Sequence, residues 1–210
     1  MNAVASHAFE IVALDRPPKV TPQGRCILYG QDEKIFREGD ACRYVYRVIS
    51  GAVRSWQMLS NGWRQVVEFD TAGDIFGLDG EVHHALSAET MSETILYVVR
   101  RDVFLNEQGS EAAIHALLKK FHRAQAHILL LGRGTACERV AAFLLDFRDR
   151  TGCDAIELLM SHQDIADYLG LTIETVSCTF AQLQASGLID LASGYRVILR
   201  DPMALERICE

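Results

Sequence analysis

Residues 161–191 read SHQDIADYLGLTIETVSCTFAQLQASGLIDL, and three positions within them, Ala166, Gly170 and Val176, decide the fold. Ser161 is a natural N-cap for a first helix over Gln163 to Leu169, whose apolar face is Ile165, Ala166 and Leu169. Gly170 supplies the turn, and Thr172 caps a second helix that runs through Gln184 with Val176, Phe180 and Leu183 facing inward. Two helices that cross closely need a small side chain at the crossing, a permissive φ at the turn and a stiff apolar plug behind the second helix. Ala166, Gly170 and Val176 meet these needs in that order, so the stretch is expected to form a helix-turn-helix.

Downstream, Leu188 to Leu191 and Tyr195 to Leu199, joined by Ala192-Ser193-Gly194, read as a β-hairpin wing. Upstream lie a strand at Ile156 to Leu159, an amphipathic helix from Ala136 to Asp149, and a glycine-broken joint, Leu131-Gly132-Arg133-Gly134-Thr135. Before the joint, Ile114, Leu117, Phe121, Ala124, Ile128 and Leu131 follow one another at alternating spacings of three and four, a narrow seam on a long helix over 108–131. Such a seam is expected to receive a second copy of the chain. Leu118 and Leu130 beside it also allow packing on its own domain.

From Ile27 to Arg101 the sequence breaks into short β-prone pieces: 34–37, 44–49, 52–59, 65–69 and 94–99. Glycines at 39, 51, 62 and 73 punctuate them, as in an all-β roll or sandwich. Arg47 and Arg54 within these pieces read as the solvent side of the strand alternation. The chain then divides into an N-terminal extension (1–26), a sensor-like roll (27–107), a dimerisation helix with its hinge (108–134) and a winged helix-turn-helix (135–210).

With 210 residues, 49% hydrophobic and 23% charged, the composition suits two modest globular domains rather than disorder. No apolar run approaches the roughly 18 residues of a membrane span, and a cytoplasmic protein is expected. The six cysteines, Cys26, Cys42, Cys137, Cys153, Cys178 and Cys209, contain no CxxC pair, so neither a zinc ribbon nor an iron–sulfur cluster has its ligand spacing. The net charge of −7 argues against indiscriminate coating of nucleic acid. Residues 135–210 hold six basic and twelve acidic side chains, so the acidity is concentrated in the segment with the helix-turn-helix.

The stretch quoted above resembles the helix-turn-helix of the CRP/FNR family, its FixK-like branch in particular. LGRGTACERVAAFLLDF (131–147) resembles the family's helix after the dimerisation helix, and EKIFREGDACRYVYRVISGAVRSWQML (33–59) followed by AGDIFGL (72–78) is similar to its cyclic-nucleotide-type β-roll. The resemblance covers about residues 27–200. It implies an α+β chain: an N-terminal β-roll, a long dimerisation helix and a C-terminal winged helix-turn-helix. It also implies a homodimer whose paired recognition helices enter successive major grooves of a palindromic promoter site, working with RNA polymerase.

By that resemblance Glu174 and Ser177 are base readers, while Thr172 and Thr175 touch phosphates. A carboxylate accepts from cytosine N4, which makes Glu174 chemically apt. Cys178 stands where the family usually has a base-reading arginine, and Ser161-His162 stands where its first helix commonly begins with Ser-Arg and meets phosphate. Cysteine cannot make arginine's paired bonds to guanine. Leu78 occupies the place of the ribose-binding glutamate of the nucleotide-binding members, and 83–90 contains no arginine for a phosphate, so no cyclic nucleotide is expected. Only Cys26 precedes the roll, which leaves no cysteine cluster for iron and sulfur. His83-His84 reads as a solvated loop, and no metal, cofactor or catalytic arrangement is expected. The competing reading, from another class, is a small-molecule or partner-binding roll whose helix-turn-helix no longer recognises an operator.

Overall fold

The computed structural model describes residues 24–209 apart from Glu81 and 193–195. Nearly all of the expected N-terminal extension and most of the wing's turn lie outside the described residues. By its internal contacts the chain divides into two units, one of residues 1–55 and 69–119 and one of residues 56–68 and 120–210.

The strands that precede the long helix form two four-stranded sheets. One has the order β1 (Arg25–Tyr29), β8 (Thr94–Arg100), β3 (Tyr44–Ser50), β6 (Ile75–Phe76), and the other β2 (Lys34–Phe36), β7 (Ser87–Thr90), β4 (Ala52–Met58), β5 (Arg64–Thr71). The β1–β8 and β3–β8 ladders are antiparallel, with Ile27 opposite Leu96 and Val48 opposite Leu96 from the other side. Their inward residues, including Ile27, Val48, Leu96 and Val98, join Val53, Phe76 and Ala88 in a fully buried core. Alternation of buried and exposed positions along β3 produces that face. Gly51, between β3 and β4, has φ +83°, and a Cβ there would lie 2.4 Å from Thr94 Oγ1, so this corner admits only glycine. A short helix α1 (Arg101–Phe104) leads to the 25-residue α2 (Glu107–Leu131).

The second unit holds α3 (Ala136–Thr151), a three-stranded sheet in the order β10 (Ile189–Leu191), β11 (Arg196–Leu199), β9 (Ala155–Glu157), and helices α4 (His162–Leu169), α5 (Ile173–Ala185) and α6 (Pro202–Ile208). Phe143, Leu144, Ile156, Ile165, Leu169, Val176, Phe180 and Leu183 form its buried centre. The helix expected from Ala136 to Asp149 runs two residues further and ends on Gly152 at φ +66°. No helix of the described residues is long and apolar enough to cross a membrane.

One expectation for the roll is corrected. Arg47 is exposed as the alternation implied, whereas Arg54 is buried, with only 8% of its surface accessible. Its guanidinium donates to Glu89 at 3.1 Å and Asp32 at 2.9 Å. A period of two marks which face a residue occupies, but a charge facing inward is tolerated when a buried partner such as Glu89 meets it. The Glu89 arm matters most, because the Asp32 side chain is 60% exposed and water screens it. Arg54→Met should strand the Glu89 carboxylate and lower stability by about 3–5 kcal/mol, and adding Glu89→Leu should restore most of the loss. Urea unfolding of the two single variants and the double variant measures this cycle.

Candidate DNA interface and dimer seam

The helix-turn-helix is assembled from its caps outward. Ser161 accepts from the Asp164 amide while the Asp164 carboxylate accepts from the Ser161 amide, a reciprocal box that starts α4. Gly170 ends the helix at φ +63°, and the Leu171 amide returns to the Ala166 carbonyl at 3.0 Å. Thr172 then caps α5 by accepting from the Thr175 amide at 3.2 Å. Ala166 and Val176 are completely buried, as the crossing requires.

This packing sorts the residues of α5. Val176, Phe180 and Leu183 point into the core, while Glu174 and Cys178, one helical turn apart, are exposed on one face with Ser177 half-buried beside them. The carboxyl of Glu174 is held below its ordinary range by a hydrogen bond from its own amide and by the Thr172 hydroxyl, so it is ionised at neutral pH. The Ser177 hydroxyl meets His162 Nδ1 at 2.9 Å, and the same imidazole stacks on Phe180 with ring centres 5.0 Å apart. His162 is thus tied to the recognition helix, and Ser161 spends its hydroxyl on Asp164. Thr172 and Thr175 sit at the helix start with their hydroxyls 3.0 Å apart. The structure therefore brings together Glu174, Ser177, Cys178, His162, Thr172 and Thr175 around the first turns of α5.

Arg64, missed in the sequence because it lies about a hundred residues upstream, belongs to the same unit. It donates to Asp164 at 2.7 Å and Asp167 at 2.6 Å, and its neighbour Gln65 donates to the Asp167 carbonyl at 2.7 Å. No local pattern signals such a long-range pairing.

Along α2, Ile114, Leu117, Phe121 and Ile128 are between 47% and 70% exposed, and Ala124 is exposed with them. Leu131 is half-buried, with a methyl 3.7 Å from where a Cβ on Gly170 would be. Of the two residues flanking the seam, Leu130 is buried and Leu118 is 55% exposed. The other side of the helix is used within the chain: Ala113 and Ala116 are buried, and so is His127.

Two family models match. A cyclic nucleotide-binding domain covers residues 27–108, and a Crp-like helix-turn-helix domain covers 138–208. The nitrogen fixation regulation protein FixK of Azorhizobium caulinodans is 41% identical over 205 residues, which span 92% of this chain and 83% of that protein. The FixK of Rhizobium meliloti is 40% identical over 183 residues, 86% of this chain and 85% of that one. The structure of FixK2 from Bradyrhizobium japonicum superposes with a TM-score of 0.82 at 36% identity, covering 89% of this chain and 98% of that one. A roll of this type followed by this helix-turn-helix defines a DNA-binding transcription regulator rather than an enzyme or an isolated binding module. The chain belongs to the CRP/FNR family, in its FixK-like branch.

What seats α4 against α2 within the second unit is His127. Its imidazole stacks flat on Tyr168, centres 3.9 Å apart, and Nε2–H donates to the Tyr168 carbonyl at 2.7 Å. Burial pushes its pKa below the ordinary 6.5, outweighing the opposing pull of that hydrogen bond. A histidine whose pKa is depressed by folding contributes stability above its unfolded value, and the contribution is lost as pH falls below about 6.5. The midpoint of thermal unfolding should therefore drop as pH is lowered through that value, and His127→Phe should flatten the drop. Calorimetry across the pH series provides the comparison.

Proposed function

We propose that this regulator acts as a cytoplasmic homodimer, joined through Ile114, Leu117, Phe121, Ala124, Ile128 and Leu131, on a palindromic promoter site, where it works with RNA polymerase. The observation that carries this reading is the exposed apolar seam on α2. A single chain leaves Ile114, Phe121 and Ile128 each more than half in water, and burying such side chains is worth roughly 1.5–3 kcal/mol apiece. A second copy of α2 offers the same stripe in the same register, the self-complementary arrangement of a two-fold dimer. A two-fold protein presents two copies of α5 and therefore reads an inverted repeat, half-sites about one helical turn apart.

On each half-site Glu174, Ser177 and Cys178 meet the base edges, Glu174 as an acceptor for cytosine N4. Thr172 and Thr175 meet phosphates at the helix start, where the helix dipole favours an anion. Ser161 and His162 flank the same phosphates, with His162 setting the orientation of Ser177. Without the family's arginine at position 178, affinity rests on these few contacts. The division into extension, roll (27–107), dimerisation helix and hinge (108–134) and DNA-binding domain (135–210) goes with this reading.

Phe121→Asp should yield monomers that no longer retain operator DNA; sedimentation showing the variant still dimeric would move the interface elsewhere. Cys178→Arg adds a planar fork able to pair with guanine O6 and N7, worth roughly 1–3 kcal/mol of discrimination. Selection from random duplexes, followed by gel-shift titration, should recover an inverted repeat for the parent. The variant should gain affinity for a TTGAT/ATCAA palindrome with a sharpened guanine preference, whereas an equal gain on every sequence would mark only a new phosphate contact.

A further inference from the structure

Three side chains that have no part in DNA reading converge in the roll. Cys42 lies just before β3, and Asp79 and His84 lie in the segment between β6 and β7. One donor atom from each, a sulfur, a carboxylate oxygen and an imidazole nitrogen, falls within 4.8 Å of the other two. The two segments are tied by backbone bonds that owe nothing to these side chains: Cys42 N–H to the Val82 carbonyl, His84 N–H to the Asp40 carbonyl and Gly39 N–H to the His84 carbonyl, each 2.8 Å long. Phe36 stacks on the His84 ring at 3.7 Å and 10°, which fixes its plane. The Asp79 carboxylate also accepts from the Ala85 amide at 3.3 Å, and Arg101 holds the Asp79 main-chain carbonyl at 2.6 Å. Cys42 and His84 are buried, and Asp79 is half-buried.

We propose that Cys42, Asp79 and His84 bind a divalent transition-metal ion of the zinc type, with the fourth position open to water. A thiolate, an imidazole and a carboxylate are the donors such ions take, whereas magnesium and calcium prefer oxygen alone. Metal–oxygen and metal–nitrogen bonds of about 2.0 Å and a metal–sulfur bond of about 2.3 Å give tetrahedral N–O and S–O edges of roughly 3.3 and 3.5 Å. Cys42 Sγ stands 3.7 Å from Asp79 Oδ2, already close to that edge. His84 Nδ1, at 2.6 Å from the same oxygen, need retreat by less than about 1 Å to reach it. On loading, the Cys42 S–H bond breaks, its proton leaves to solvent and the sulfur pair forms the metal bond. The imidazole keeps one proton by carrying it on Nε2, which frees Nδ1, and no electron changes hands.

The simpler alternative is a hydrogen-bonded triad in which the thiol and the imidazole both serve the Asp79 carboxylate. The two differ in sulfur ligation, which cobalt(II) reports directly. The reduced, metal-free full chain titrated with cobalt(II) chloride should take up one equivalent, with a near-ultraviolet thiolate-to-cobalt band and the visible bands of four-coordination. Cys42→Ser and Cys42→Ala should abolish the near-ultraviolet band. Asp79→Asn and His84→Gln should weaken binding by more than the roughly 10–100-fold that a mutated outer-shell partner costs. Cys178→Ser should leave the spectrum intact. Far-ultraviolet circular dichroism checks each variant's fold. Stoichiometric binding absent from the parent, a cobalt spectrum without a thiolate band, or a band that survives in folded Cys42 variants would overturn the proposal.

Discussion

The close crossing of α4 and α5 is the constraint from which the DNA-reading surface follows. Ala166 is completely buried at the crossing, Gly170 turns the chain at φ +63°, and Val176 fills the space behind the second helix. A larger side chain at 166 would push α5 outward, and overpacking of a filled core costs typically 1–3 kcal/mol. The same shift would re-aim Glu174 and Cys178, which ride on the exposed face of α5. His162 adds a second constraint by bracing Ser177 and Phe180 from the first helix. On the proposed reading, the geometry of the recognition face is thus set by residues that never face a base.

The elements with a strong local signal were legible in the sequence. Both helices of the helix-turn-helix, the helix before them and the long seam have sharp periodicity and recognisable caps, and each lies within a few residues of its expected bounds. What escaped was hidden by chemistry rather than by weak folding. The strand β7, Ser-Ala-Glu-Thr, is wholly buried yet mostly polar, because Glu89 answers Arg54 and the Thr90 hydroxyl donates to the Gly30 carbonyl. Hydrophobic alternation cannot announce a strand whose inward side chains are paired polar groups. The two-residue β6 is too short for any periodicity. The last helix did have a readable start, Asp201 accepting from the Ala204 amide with Pro202 at the first helical position, but its seven residues offer only two turns of pattern. Convergence of Cys42 with Asp79 and His84, and of Arg64 with Asp164 and Asp167, depends on tertiary folding across 37 to 103 residues and has no local trace.

The acidity of the C-terminal part takes a different meaning once its carboxylates are located. Asp164 is buried as part of the cap of α4 and shared with Arg64, Asp167 is taken by Arg64 and Gln163, Asp146 pairs with Arg150, and Glu206 with Arg148. Glu138 is spent on the Thr135 cap and Asp190 on Arg200. These groups maintain the domain's internal geometry. At physiological salt their field fades over about 8 Å, so those away from α5 weigh little on a phosphate docked at its start.

What remains at the reading face is a helix, IETVSCTFAQLQA, without a single lysine or arginine. Nonspecific affinity comes from cations neutralising phosphates, and this helix supplies none. On the proposed reading its attraction for DNA resides instead in the positive end of the helix dipole and the hydroxyls of Thr172 and Thr175. Glu174 is ionised in the first turn, and on the same reading it repels a phosphate and gains where a base amino group, such as cytosine N4, faces it. If Glu174 reads a base as proposed, discrimination comes mainly by penalty: on the wrong sequence its carboxylate would be left beside acceptors, with no basic neighbour on the helix to soften the loss. Weak general affinity and sharp local rejection are what this composition predicts for the proposed contacts, and on that reading an acidic domain is compatible with a sequence-specific regulator.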